Sequence, residues 1–159
     1  MIEKFLELLT SLTKSEVNFV IIGGFASVAH GCTNVTQDID ICCDFSPTNL
    51  MRLQKALIGL NPVHRMTAQK VKLKLTEDNC KSVKNLYIDT DLGQLDCLGY
   101  VKGVGDYHQA VKVSEKIEID GIVFNILNIE ALIESKKAMS RPHDQQSIIE
   151  LKALNEKKK

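Results

Sequence analysis

Asp38 and Asp40 stand one residue apart in the stretch Asp38-Ile39-Asp40-Ile41-Cys42-Cys43. In a β-strand alternate side chains share a face, so the two carboxylates would project together, with Cα atoms about 6 to 7 Å apart, and Ile39 and Ile41 would face the other way. Hard divalent cations such as Mg²⁺ or Mn²⁺ take oxygen ligands. Carboxylates that bridge two such ions can hold a polyphosphate, neutralise its charge and activate an attacking oxygen. A third carboxylate is then expected from a neighbouring strand. Asp96 is preferred, because it sits inside the apolar run Leu95-Asp96-Cys97-Leu98, where an unpaired carboxylate would cost on the order of several kcal/mol. Asp89 and Asp91 read instead as turn residues.

Upstream of the pair, the β-branched and aromatic run Val17 to Ile22 stops at Gly23-Gly24. Glycine lets a backbone come close to a ligand, and a turn that opens a helix presents N–H groups to a triphosphate. Ser27 lies near enough to touch the same phosphates, or serves only as a first-turn helix residue. D-x-D alone is weak, since it arises often by chance; the glycine turn and the third acid in an apolar strand give it weight.

These residues must be held by a definite set of elements. Ile2, Phe5, Leu6, Leu9 and Leu12 recur at helical spacing and predict an amphipathic helix that ends before Ser15. Val17–Ile22 reads as a buried strand, Phe25–His30 as a short helix closed by Gly31, and Asp38–Cys43 as the strand of the acids. Ser46-Pro47 supplies an N-cap and first-turn proline for a helix carrying Leu50, Leu53, Leu57 and Leu60. Lys70, Lys72 and Lys74 alternate with Val71, Leu73 and Leu75, which predicts a half-buried strand. Further strands are expected near 85–90 and 94–98. Asp120-Gly121 between two β-rich runs signals a hairpin over 116–127. Asn128 caps a helix to about Met139, with Leu127 and Leu132 as a hydrophobic staple. Pro142 breaks it, and a last helix turns Ile148, Leu151 and Leu154 inward and frays at Lys157–Lys159.

Hydrophobic strand, Gly23-Gly24, short helix and Asp38-x-Asp40 together resemble the signature of the DNA polymerase β-like nucleotidyltransferases. The resemblance extends to small bacterial proteins related to the AbiEii-type toxins, through Thr90-Asp91-Leu92-Gly93-Gln94-Leu95-Asp96 and the later SKKAMSRPHD segment. It spans about residues 19 to 154. It implies an α/β (α+β) fold with a mixed, mainly antiparallel sheet flanked by helices, and Asp38, Asp40 and Asp96 along one edge of a nucleotide cleft. It also implies an NTP substrate, Mg²⁺ or Mn²⁺, and transfer of an NMP group to an acceptor hydroxyl on a protein, a tRNA end or a small molecule. Lys136 aligns with the family's lysine and would neutralise the β- or γ-phosphate, with Lys137 about 100° away around the helix. Arg141 would reach the same polyphosphate. Asp144 would orient either cation, or favour the start of the last helix through its dipole. Toxin–antitoxin roles, an RNA or protein partner and a homo-oligomer all fit the kinship, and a non-catalytic nucleotide-binding or partner-binding module is the alternative to an enzyme.

A chain of 159 residues with 44% apolar content supports one core, hence one domain over 1–159. Its 20 basic and 20 acidic side chains cancel, so no overall field draws it to nucleic acid or an anionic membrane. The start MIEKFLELL lacks the marks of a signal peptide, and no run is long enough to span a bilayer. Five irregularly spaced cysteines without a C-x-x-C pair suggest free thiols in a reducing cytoplasm. A zinc site at Cys42, Cys43 and a distant His is disfavoured, because adjacent strand residues face opposite ways. His30 is expected to cap its helix, and His64, His108 and His143 show no ligand spacing. The lysines at 70, 72 and 74 suit a solvated strand face better than an RNA backbone.

Overall fold

The computed structural model describes residues 2–33 and 35–158. Helix α1 (Ile2–Lys14) leads into β1 (Phe19–Ile22), α2 (Gly23–His30), β2 (Asp38–Cys43) and α3 (Pro47–Leu57), which tightens into a 3₁₀ turn at Ile58–Leu60. Next come β3 (Val63–His64), the single turn α4 (Glu77–Cys80), β4 (Asn85–Thr90), β5 (Gly93–Leu98), and the small hairpin β6 (Tyr100–Val101) and β7 (Gly105–Asp106). The chain finishes with α5 (Tyr107–Lys112), β8 (Ser114–Ile119), β9 (Ile122–Leu127), α6 (Ile129–Met139) and α7 (Asp144–Lys158).

Seven strands form one sheet in the order β3-β4-β5-β2-β1-β9-β8. The pairs β3/β4, β4/β5, β1/β2 and β8/β9 are antiparallel, whereas β2/β5 and β1/β9 are parallel. The sheet is therefore mixed and mainly antiparallel, as the sequence implied. Its central strand β2 buries Ile39, Ile41 and Cys43 on one face and leaves Asp38 and Asp40 partly open on the other, which is the period-two alternation of a pleated strand. Helices α1 and α3 pack on each other, while α2 packs on α6 and α7. Leu8, Leu9 and Leu12 of α1, Leu50, Leu53 and Leu57 of α3, Ile21, Ile88, Leu95 and Ile126 are fully buried in one core cluster.

Local chemistry fixes the joints. Ser46 Oγ accepts from the Asn49 N–H at 3.3 Å, and Pro47 opens α3. The buried Asn49 amide bonds the Asn18 N–H at 2.7 Å and the Asp44 carbonyl at 2.7 Å, tying the start of β1 to the end of β2. Asp120 and Gly121 both have positive φ, 51° and 80°, in the two-residue turn between Ile119 and Ile122. Asn128 Oδ1 accepts from the Ala131 N–H at 2.8 Å and starts α6.

Four expectations need correction. Residues 70–75 form no strand. Val71 and Leu73 do bond the loop around β3, through His64 N–H to the Val71 carbonyl and Leu73 N–H to the Pro62 carbonyl. The two-residue β3 offers only one bridge, Val63 to Lys72, and the Gln54 side chain takes both the N–H and the carbonyl of Leu75. A side chain thus competes with the ladder, although Leu73 and Leu75 are buried and the lysines exposed as the alternation predicts; Val71, expected to face inward with the two leucines, is exposed instead. Asp89 lies within β4 rather than at a turn. His30 donates across to the Leu127 carbonyl at 2.7 Å, because the carbonyls closing α2 are already met by the Gly31 and Cys32 N–H groups. Lys157 and Lys158 continue α7, and Lys159 lies outside the described residues.

Candidate active site

Asp40 on β2 and Asp96 on β5 are direct register partners in a parallel pair, and Asp38 stands opposite Gln94. Paired strands run about 4.8 Å apart, so the pleat delivers the three carboxylates to one side of the sheet. One oxygen from each of Asp38, Asp40 and Asp96 lies within 4.8 Å of the others. Burial, and then the charges of Asp38 and Asp96, push the Asp40 carboxyl up to about 7. Burial and Asp96 also raise Asp38, with the Arg65 charge partly offsetting them. Like charges this close need a cation.

Part of that cation is supplied by the protein. Arg65, just past β3, places Nη2 2.6 Å from Asp96 Oδ1, with its guanidinium 5.8 Å from the centre of the Tyr87 ring. The contact is ionic only: Asp96 Oδ1 and Arg65 Nη1 are both buried without a hydrogen-bond partner among the described residues. An orphaned carboxylate oxygen inside an all-oxygen cluster fits a hard divalent cation. Asp38, Asp40 and Asp96 are the residues that would hold it.

Beside the triad, β1 ends and α2 begins. Gly23 has φ +69°, and a Cβ built there would overlap the Asp40 carboxylate and lie 2.9 Å from Asp40 Cβ. Glycine is therefore required twice over, by backbone conformation and by the acid beside it. No side chain among the described residues caps the start of α2, so its first N–H groups open on the cleft that Gly23 and Gly24 line. Ser27 does not reach this cleft. It is fully buried and donates its hydroxyl to the Gly23 carbonyl at 3.3 Å, which corrects the expectation of a phosphate contact; one helical turn in, the side chain points back along its own helix.

The corner between α6 and α7 closes the other wall of a cavity of about 640 Å³. Asp144, almost fully buried, accepts from Arg141 Nε at 2.8 Å and Nη2 at 3.3 Å, and from Lys136 Nζ at 3.5 Å. Burial alone would raise its carboxyl, but the Arg141 bonds and the Lys136 charge outweigh it and hold the group low. Lys136 and Arg141 both line the cavity, whereas Lys137 lies outside it, 3.9 Å from Glu134. Asp144 thus both orients the two cations and opens α7. Among the lining or adjoining residues that the sequence did not single out are Tyr87, Arg65 and Lys102. Tyr87 was legible, since the Thr90–Gly93 turn sets the register that puts it opposite Asp96. Arg65 and Lys102 had no signal, because each follows a two-residue strand.

No protein-family model matches the sequence, and no curated protein matches it. Solved structures do. The antibiotic-resistance factor ANT(2'')-Ia, studied in solution, is similar with a TM-score of 0.61 at 15% identity, over 99% of this chain and 83% of that one. The lincosamide antibiotic adenylyltransferase LnuA, bound to lincomycin, gives 0.61 at 16% identity and covers 96% of either chain. ANT(2'')-Ia in complex with adenylyl-2''-tobramycin gives 0.57 at 16% identity, over 97% and 87%. The chain has the nucleotidyltransferase fold. At these identities the likeness is one of architecture, and within that nucleotidyltransferase fold the acid cluster, the uncapped α2 and the Lys136–Arg141–Asp144 corner all face one cavity.

Proposed function

We propose that the protein is a metal-dependent nucleotidyltransferase that moves an NMP group from an NTP to an acceptor hydroxyl. The observation that carries this reading is the convergence of Asp38, Asp40 and Asp96 within 4.8 Å beside the uncapped start of α2. Mg²⁺ or Mn²⁺ on the three carboxylates would supply charge neutralisation and hydroxyl activation. The N–H groups at Gly23 and Gly24 bind the phosphates, and Lys136 and Arg141 hold the distal phosphate charge. The acceptor oxygen forms a bond to the α-phosphorus, the bond from that phosphorus to the bridging oxygen breaks, and pyrophosphate leaves. The hydroxyl proton passes to solvent; no side-chain base is assigned.

The acceptor is read as a small molecule, in line with the adenylylated tobramycin held by one structural neighbour. Kinship with the AbiEii-type proteins rests on the 90–96 and 135–144 segments alone. Five buried, unbridged cysteines suit a reducing cytoplasm, and among the described residues no helix is long and apolar enough to cross a membrane. The whole chain is proposed to act as one catalytic unit, because its core residues form one cluster.

Labelled NTPs, tested singly with Mg²⁺ or Mn²⁺ and a panel of hydroxyl compounds, check the proposal. Pyrophosphate release that stops in Asp40→Ala is the expected result. An NTP that binds yet stays intact through long incubation with every acceptor makes the chain a binding module, and an NTP plus metal that leaves the melting temperature unchanged removes the nucleotide site altogether.

A further inference from the structure

The sheet order β4-β5-β2-β1 divides the cavity. Gly23 and Gly24, at the β1–α2 junction, lie on one side of β2, and β5 and β4 lie on the other. With the triphosphate seated on α2, an acceptor approaches over β5 and β4. That side is walled by half-buried Tyr87 and Leu98 and by buried Val101. At its rim stands Lys102, exposed, lining the cavity, and without an ion-pair partner among the described residues.

The negative charges of the cavity are already engaged. Its lining carboxylates are Asp38, Asp40, Asp96 and Asp144. The first three face one another as the cation-binding cluster, and Asp144 is buried against Arg141 and Lys136. Farther along β4, Asp89 is held by Lys70 Nζ at 3.4 Å. Tobramycin and its class are polyamines, and desolvated ammonium groups need carboxylates facing them. Here such groups would meet Lys102, and like charges brought together reject a ligand.

We infer that the acceptor is a small anionic hydroxyl compound, bearing a phosphate or carboxylate that pairs with Lys102 and a planar or apolar body that lies on Tyr87, Leu98 and Val101. The inference rests on the nucleotidyl-transfer reading and names the acceptor class of that same site. It separates this chain from a structural neighbour of the same fold that holds an adenylylated aminoglycoside.

The test is equilibrium binding by calorimetry to the full chain, saturated with a non-hydrolysable ATP analogue and Mn²⁺. The probes are pyridoxine 5′-phosphate, 4-hydroxybenzoate, uncharged pyridoxine and tobramycin. At least one anionic probe is expected to bind more tightly than pyridoxine and tobramycin, to weaken as salt is raised, and to lose about tenfold in affinity in Lys102→Glu. Lys102→Gln is expected to lose less, and an unchanged melting temperature in both variants shows that each still folds. Tobramycin binding as tightly as the anions, anion affinity unaltered by Lys102→Glu, or failure of both anionic probes overturns the inference. Failure of the ATP analogue and of its GTP, CTP and UTP counterparts to bind is a different result, and it overturns the nucleotidyltransferase reading first.

Discussion

Asp40 sits where three demands meet: it is closed in by the sheet, flanked by two other carboxylates, and pressed against a glycine that leaves no room for a methyl group. Removing its charge should relieve the metal-free protein while disabling it. Asp40→Asn is expected to abolish metal-dependent pyrophosphate release and, at pH 8, to raise the melting temperature of the metal-free chain by a few degrees, the response of a domain of this size to about 1 kcal/mol. A lower melting temperature would mean that the carboxylate is stabilised by contacts other than those described. Gly23→Ala should do the reverse, losing about 1 to 3 kcal/mol to backbone strain and more to the Asp40 overlap, as denaturant titration can measure. Arg65→Met removes the cation standing against Asp96, so Mn²⁺ followed by electron paramagnetic resonance should bind more tightly. Of these residues the two glycines and three acids were legible from type and spacing. Arg65 was not, because it stands one residue past the two-residue β3, where its N–H bonds the Tyr87 carbonyl and sets it across β4 from Asp96, and so short a strand leaves no pattern to read.

Elements differ in how completely local chemistry prescribes them. The 119–122 hairpin, the Ser46 and Asn128 caps and the Gly31 stop were readable because one or two residues dictate each geometry. The 70–75 segment was misread because an alternating pattern specifies which side chains are buried, and says nothing about whether a partner strand is long enough to pair with. Its anchor is the Gln54 side chain, so Gln54→Ala should speed hydrogen exchange at the Leu75 amide while leaving β4 and β5 protected; unchanged exchange would mean that Leu73 and Leu75 packing suffices. At the α6–α7 corner, Asp144→Ala leaves the buried Lys136 ammonium without its anion. A loss of about 3 to 5 kcal/mol is expected, together with weaker NTP binding. Lys136→Met keeps the Arg141–Asp144 pair, and should therefore weaken NTP binding with a much smaller change in stability.

For the molecule as a whole, protonation and metal act on the same cluster with opposite signs. The Asp40 carboxyl, lifted to about 7 from its ordinary 3.8, binds a proton more tightly folded than unfolded. Its contribution to stability is therefore present at low pH and is lost as pH rises between those two values. Divalent cation requires the ionised form. The metal-free chain should thus melt higher at pH 5.5 than at pH 8, and the gain on adding Mn²⁺ should be larger at pH 8. Calorimetric scans at the two pH values test both statements, and a metal-free chain most stable at pH 8 would show that the three carboxylates do not interact as described.

All five thiols are sequestered in the core, which gives the experimenter a silent background. A lone cysteine introduced at exposed Val123, on the rim of the hairpin and away from the cavity, should take a single maleimide dye while the wild type takes none until it is unfolded. Nucleotide docking, acceptor capture and product departure could then be timed by fluorescence in a chain that needs no cysteine removed beforehand.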